Sequence, residues 1–402
     1  MARGRESAAN LNRVLAEIRR LGAAARVDIA AATGLSAATV TLLSADLIAA
    51  GLVEEAASEA PNARGRPRVM LRLSPGALHV AGAKLSDSKI TVAILDFAGA
   101  IVAEAAAPLL SRRPTVAQML TQLDLAFAVA LETAGLMERD IAAIGLGAPG
   151  FVEGETGRCL WSPVLSDPAP VDLLGPLRAR FGCPVFVDND ANLATLAELW
   201  FGLGRGRRDF LVVTIEHGLG MGAVIGGRLF RGARGVGVEF GHIKVQNDGA
   251  LCRCGQRGCL EAYVADYALA REAGAALGTE VGQGPLLEQL FASARGGDAA
   301  AQSIFRRAGR MLGLGLANLV NLFDPPLVIL SGERMRHEPL FAEAIMAALS
   351  ANILKLDRPD PEIEVHRWGD TLWARGAGAL ALDGITPDLA AARRAGASPR
   401  SV

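Results

Sequence analysis

Gly241-His242, nine intervening residues, and then Cys252-Arg253-Cys254-Gly255-Gln256-Arg257-Gly258-Cys259-Leu260-Glu261 constrain this chain more than any other segment. Three of its five cysteines fall within eight positions, with a histidine at loop distance upstream. One imidazole and three thiolates are the donor set of a closed tetrahedral site, so His242, Cys252, Cys254 and Cys259 are expected to hold one structural zinc ion per chain. Gly255 and Gly258 would let the backbone turn tightly enough for Cys254 and Cys259 to converge. The competing readings are buried thiols beside an unrelated histidine, or a disulfide, and nothing else in the sequence points to an oxidising compartment.

A chain of 402 residues exceeds one ordinary core and predicts two or three domains. The start of the chain lacks a signal-type apolar segment and no apolar run reaches membrane-spanning length, so the protein is expected in the cytoplasm without a membrane partner. The formal net charge is −1. Residues 1–72, however, carry ten arginines against seven acidic residues, four of the arginines between Arg64 and Arg72. That asymmetry suggests a small anion-binding module on a neutral body.

The first seventy residues read as such a module. Leu11, Val14, Leu15, Ile18 and Leu21 recur at helical spacing, with Gly22 placed to end the helix. A short helix over about 27–33, a turn at Gly34 and a third helix capped by Ser36 complete a helix-turn-helix. Val40, Leu43 and Leu47 form the buried stripe of the third helix. Ser36, Ala37, Ala38, Thr39 and Thr41 are thereby left near its start and outward, where small and hydroxyl side chains permit close approach to base edges. Arg64, Arg66 and Arg68 beside the alternating strand Val69–Leu73 suggest a basic wing suited to a minor groove, the other reading being a solvated basic linker. Domain boundaries are placed at 1–74 for this winged helix-turn-helix and 75–385 for the body. Lobe one spans about 75–189 plus 370–385, lobe two about 190–369, and 386–402 form a tail expected to be mobile.

From His79 the pattern is that of an α/β protein: strands at 79–85, 89–96 and 101–106, a helix over 115–134, a buried strand from Ile141 running into a glycine turn by Gly150, then a short strand, Pro184–Val187, with Asp188-Asn189-Asp190-Ala191-Asn192 at its end. A second half repeats strands around 210–215, 223–225 and 327–330 with a long helix over 301–323. Val187 to Asn192, Glu239-Phe240-Gly241-His242, the cysteine run and the ending Ala374-Arg375-Gly376-Ala377-Gly378-Ala379-Leu380 together resemble the ROK family of sugar kinases and sugar-responsive repressors. With the winged helix in front, the chain is most similar to the NagC/Mlc/XylR-like regulators of that family. The resemblance implies a two-lobed actin-like, hexokinase-type domain with sugar in its cleft, and places Asn189, Asp190, Glu239, His242 and Glu261 on the sugar hydroxyls. For Asn189 and Asp190 the alternative is plain helix capping.

A kinase would need Asp190 as base and glycine turns for the nucleotide. Where family kinases have Asp-x-Gly-Gly-Thr, this chain reads Lys84-Leu85-Ser86-Asp87-Ser88; the second turn reads Glu216-His217-Gly218, and Ser331-Gly332-Glu333 also departs from the family's glycine run. Carboxylates in such turns oppose a polyanionic nucleotide. Two further departures are Leu42, where family repressors often place a basic residue, and Trp161–Leu165, which lacks the asparagine kinases commonly offer the sugar. The chain is therefore read as a non-enzymatic, sugar-responsive repressor of carbohydrate genes. It would bind an operator in double-stranded DNA as a homodimer or dimer of dimers, with a sugar or sugar phosphate as effector. A ROK kinase carrying a DNA-binding arm and a sugar-binding scaffold are the alternatives.

Overall fold

The computed structural model describes residues 2–56, 68–277, 283–332, 340–357, 359–367 and 371–394. Helix α1 (Ala2–Leu21) buries Leu11, Val14, Leu15 and Ile18 against α2 (Arg26–Thr33) and α3 (Ala37–Ala49). The helical spacing of these apolar residues is what gives α1 a single core-facing stripe. Gly34 ends α2 in the left-handed conformation and Ser36 caps α3, its side chain accepting the Thr39 N–H. Strand β1 (Ala23–Ala25) joins β2 (Val53–Ala56) and β3 (Met70–Leu73) in a sheet of order β1-β3-β2. The expected strand after residue 68 is therefore present, paired to a strand, β1, that its three alanines did not announce.

The next strands are β4 (His79–Leu85), β5 (Lys89–Asp96) and β6 (Ile101–Pro108), followed by α4 (Val116–Ala134) and β7 (Ile141–Ala148). Then come β8 (Phe151–Glu153), β9 (Arg158–Trp161), β10 (Val171–Asp172), α5 (Leu174–Arg180), β11 (Val185–Asn189) and α6 (Asp190–Phe201). The main sheet runs β11-β7-β4-β5-β6, antiparallel across β4, β5 and β6 and parallel across β4, β7 and β11.

A second sheet repeats that plan. Strands β12 (Phe210–Ile215), β13 (Leu219–Ile225) and β14 (Arg228–Phe230) precede helices α7 (Glu261–Val264), α8 (Asp266–Leu277), α9 (Gln283–Arg295) and α10 (Ala299–Phe323). Strand β15 (Leu327–Ser331), α11 (Ala342–Asn352), β16 (Glu362–His366) and α12 (Thr371–Arg394) complete the chain's elements. The order β14-β13-β12-β15-β16 again joins an antiparallel meander to parallel strands.

Two compact units result: residues 1–206 with 371–402, and residues 207–370. The boundary falls after α6 rather than at 189, because α6 packs on α12, which lies on β4 and β7. Glycines make that layer possible: a Cβ on Gly82 or Gly145 would stand 1.9 Å from the Ala374 or Ala377 carbonyl oxygen of α12. The tail set off at residue 386 begins inside a helix. Helix α12 continues through Pro387 to Arg394, because Ile385, Thr386 and Leu389 find a surface to bury against. Residues 395–402 lie outside the described residues. Among the described residues no single helix is long and apolar enough to cross a membrane.

Candidate functional site

In the second unit, His242 closes a one-turn helix, Phe240–His242, and the cysteine run follows as a folded loop. The ligand atoms of His242, Cys252, Cys254 and Cys259 all lie within 4.8 Å of one another. Cys254 Sγ is 3.8 Å from Cys259 Sγ, and Cys252 Sγ is 3.7 Å from His242 Nδ1. Metal–sulfur bonds of about 2.3 Å at tetrahedral angles put two sulfurs about 3.8 Å apart, so these four side chains fit one closed, four-coordinate ion. Gly255 and Gly258 have φ of +85° and +77°, the left-handed turns expected of them, and a Cβ on Gly258 would meet the Gln246 carbonyl oxygen at 1.8 Å. All five cysteines are free thiols, which removes the disulfide reading.

Acid–base groups crowd this loop and shift one another. The hydrogen bond with Cys252, reinforced by the Glu261 carboxylate, raises the His242 pKa to about 9 against the opposing effect of burial. Burial pushes the Cys252 thiol up, but hydrogen bonds from His242 and Tyr267 outweigh it and leave the pKa at about 7. Burial, with the neighbouring Cys252, holds Cys254 protonated up to about 11. Two residues that motif spacing did not flag complete the surroundings. Lys244 donates from Nζ to Cys259 Sγ at 2.9 Å, and the Tyr267 hydroxyl lies 3.5 Å from Cys252 Sγ and 3.3 Å from Glu261 Oε1. Lys244, two residues after the histidine, was the more findable of the two, since a cation beside a triply anionic ligand set is chemically expected.

Glu261 is buried at the start of α7, where its Oε2 accepts the Leu219 N–H at 3.2 Å. Its Oε1 is 3.6 Å from Cys252 Sγ, so metal loop and carboxylate share one framework. Glu239 is exposed and immediately precedes the His242 turn. The residue before it, Val238, is held at φ +60°, a left-handed conformation that a β-branched side chain adopts only under constraint. The structure thus brings His242, the three cysteines and Glu261 together, with Glu239 three residues from the histidine.

In the first unit, Asn189 caps α6. Its Oδ1 accepts the Ala191 N–H at 2.8 Å and its Nδ2 donates to the Gly150 carbonyl at 2.6 Å. Asp190 Oδ1 also accepts the Ala191 N–H. Beneath them Asp188, fully buried, accepts from the Asn189 N–H and from Asn192 Nδ2, each at 2.8 Å. The capping contacts use only part of the donor and acceptor capacity of an amide or carboxylate.

The turns that the sequence sets against the nucleotide loops of kinases carry local contacts. Ser86 Oγ accepts the Lys89 N–H at 3.1 Å, and Lys84 Nζ stands 3.5 Å from the Trp373 ring centre. In the second unit Glu216 N–H bonds the Gly218 carbonyl, and the buried Asp266 carboxylate sits 3.9 Å from His217 Nε2. Glu333 lies outside the described residues.

At the arm, Ser36, Ala37, Ala38 and Thr41 are exposed on α3, while Thr39 is half-buried and hydrogen-bonded to Ser36 Oγ. Leu42 is 65% exposed, an apolar side chain on the outward face. Arg68 reaches Asp28 at 3.5 Å; Arg64 and Arg66 lie outside the described residues.

Residues 80–384 match the ROK family. Glucokinase from Streptomyces coelicolor is 35% identical over 264 residues, 62% of this chain and 80% of its own. The xylose repressor of Caldicellulosiruptor bescii is 27% identical over 370 residues, 89% of this chain and 91% of its own. Among solved structures, a ROK family transcriptional regulator described as a homolog of the Escherichia coli Mlc protein superposes with TM-score 0.79 at 25% identity, covering 97% of this chain and 99% of its own.

Proposed function

The chain belongs to the ROK family, and from that premise we propose that it is a sugar-responsive transcriptional regulator, a repressor of carbohydrate uptake or catabolism genes. One observation carries this reading: the likeness to a repressor and to a regulator of solved structure runs through the arm, whereas the likeness to a glucokinase covers 62% of the chain. The arm presents a capped α3 with small outward side chains, the arrangement that lets a helix enter a major groove.

In this proposal Ser36, Ala37, Ala38, Thr39 and Thr41 face base edges, and Arg64, Arg66 and Arg68 neutralise phosphates. Asn189, Asp190, Glu239, His242 and Glu261 bind the hydroxyls of a sugar or sugar phosphate. A structural zinc ion held by His242, Cys252, Cys254 and Cys259 would fix the ring orientation of His242 and the backbone leading to Glu261. The protein acts in the cytoplasm as a homodimer or dimer of dimers on a pseudo-palindromic operator. In this reading it transfers no phosphoryl group, since Asp87 and Glu216 bring negative charge to turns that a kinase keeps for phosphates.

The test is binding of the purified protein to DNA upstream of its own gene at fixed salt, with and without a panel of free and phosphorylated sugars. Tight binding released by one sugar is the expected result and identifies the effector. Absence of specific binding throughout, with sugar-dependent ATP turnover, would replace the regulator by the kinase.

A further inference from the structure

Helix α1 has a second face. Its apolar stripe is used up inside the arm, yet Asn12 and Arg19, seven residues apart, point elsewhere. Asn12 Nδ2 donates to the Pro387 carbonyl of α12 at 3.4 Å. Arg19 is only 8% exposed, and both its terminal nitrogens lie 3.4–3.5 Å from Thr386 Oγ1. Its guanidinium carbon stands 4.2 Å from the Trp200 ring centre and 5.5 Å from that of Phe97. Among the described residues its Nε has no hydrogen-bond partner. Burial lowers the Arg19 pKa to about 10, with Asp383 opposing, so the group stays cationic at neutral pH.

The same contact is closed from the other side. Arg205, just beyond α6, donates Nε to the Arg20 carbonyl at 3.1 Å and Nη2 to the Arg19 carbonyl at 3.3 Å, while Arg20 Nη1 donates to the Gly206 carbonyl. Gly22 makes room for it, since a Cβ there would lie 2.3 Å from Arg205 Nη2. Dock and polar start are thus the two ends of one helix: α6 begins at Asn189-Asp190 and ends at Trp200-Phe201. It has little freedom to bend or slide, because it is buried along most of its length and a Cβ on Gly376 of α12 would meet the Leu193 carbonyl oxygen at 2.0 Å.

A cation buried against aromatic faces and one hydroxyl holds the arm in place but regains full hydration when it leaves. Because its charge is rehydrated on leaving, such a contact is more readily broken than an apolar dock of the same size. We propose that Arg19 is a positioning residue that couples the winged helix to the sugar-binding end of α6. Engagement of Asn189 and Asp190 shifts α6 and α12 together, withdraws Trp200 and Thr386 from Arg19, and frees the arm from the orientation that fits the operator. This inference rests on the regulator reading above.

Arg19→Met tests it, because the variant keeps the length and apolar stem of the side chain and removes only the charge. Two measurements are paired: operator affinity with and without the releasing sugar, and hydrogen exchange of α1 and of residues 200–206 in the sugar-free protein. Against a release of about a hundredfold in the wild type, the variant is expected to show less than about fivefold, with unchanged sugar affinity in the absence of DNA and an unchanged or higher Tm. Exchange at 200–206 is expected to fall about tenfold with arm secondary structure unchanged. A merely structural Arg19 would lower Tm and leave the sugar-dependent ratio intact, which would overturn the proposal. If the wild type binds no operator, the regulator reading fails by itself, and unchanged exchange in the variant then overturns the dock independently of it.

Discussion

Leu42 is where one side chain has the clearest functional consequence. It sits on the outward face of α3, apolar and exposed, where the family resemblance sets a basic residue. Leu42→Arg should tighten binding to any duplex and steepen the fall of log affinity with log salt by about 0.9, the contribution of one added phosphate contact. Arg68→Ala should flatten that slope by a similar amount; an unchanged slope would remove Arg68 from the DNA. At the metal loop, His242 and Cys254 hold protons at neutral pH, their pKa values standing at about 9 and about 11. An ion must displace both protons, so zinc affinity should rise as pH rises toward 9. Calorimetry in buffers of different ionisation enthalpy should record the release, and zinc uptake that proceeds without proton release would contradict this donor set. Cys254→Ser should lower zinc content and sugar response together, and a full response in metal-free protein would separate the two.

Among the elements, the metal loop and α6 depend on backbone that tolerates no side chain. Gly258→Ala puts a methyl group into the Gln246 carbonyl at a left-handed φ, so it should cost metal binding without changing any ligand. Within the arm, Leu15 is fully buried in α1, and Leu15→Ala should destabilise the winged helix by about 2–5 kcal/mol and abolish operator binding. Circular dichroism and zinc content separate these cases: the glycine variant loses the ion and keeps the arm, the leucine variant the reverse. The helices and main strands were legible in the sequence because periodicity and capping are local, as with Ser36 on α3 and Asn189 on α6. The three alanines of β1 carry no such signal, and their strand exists only because β3 is there to pair with it.

For the molecule as a whole, linkage requires that a sugar which weakens operator binding be weakened to the same factor by operator. Sugar affinity measured with and without DNA should therefore reproduce the ratio found in the DNA titration; unequal factors would mean that the sugar acts on assembly rather than on the arm. The sequence alone settled what is written in spacing and donor chemistry: the α/β pattern, the arm with its capped third helix, and the histidine and cysteines that the fold then collects within 4.8 Å. Two things were out of its reach. Helix α12 does not stop at residue 385, because Thr386 meets Arg19 across 367 residues of chain and Pro387 meets Asn12 across 375. Nor does α6 belong with the second unit, since its fate is decided by packing on α12. Burial of a cation, and the partner that makes it tolerable, are properties of surfaces brought together by folding, and no local pattern encodes them.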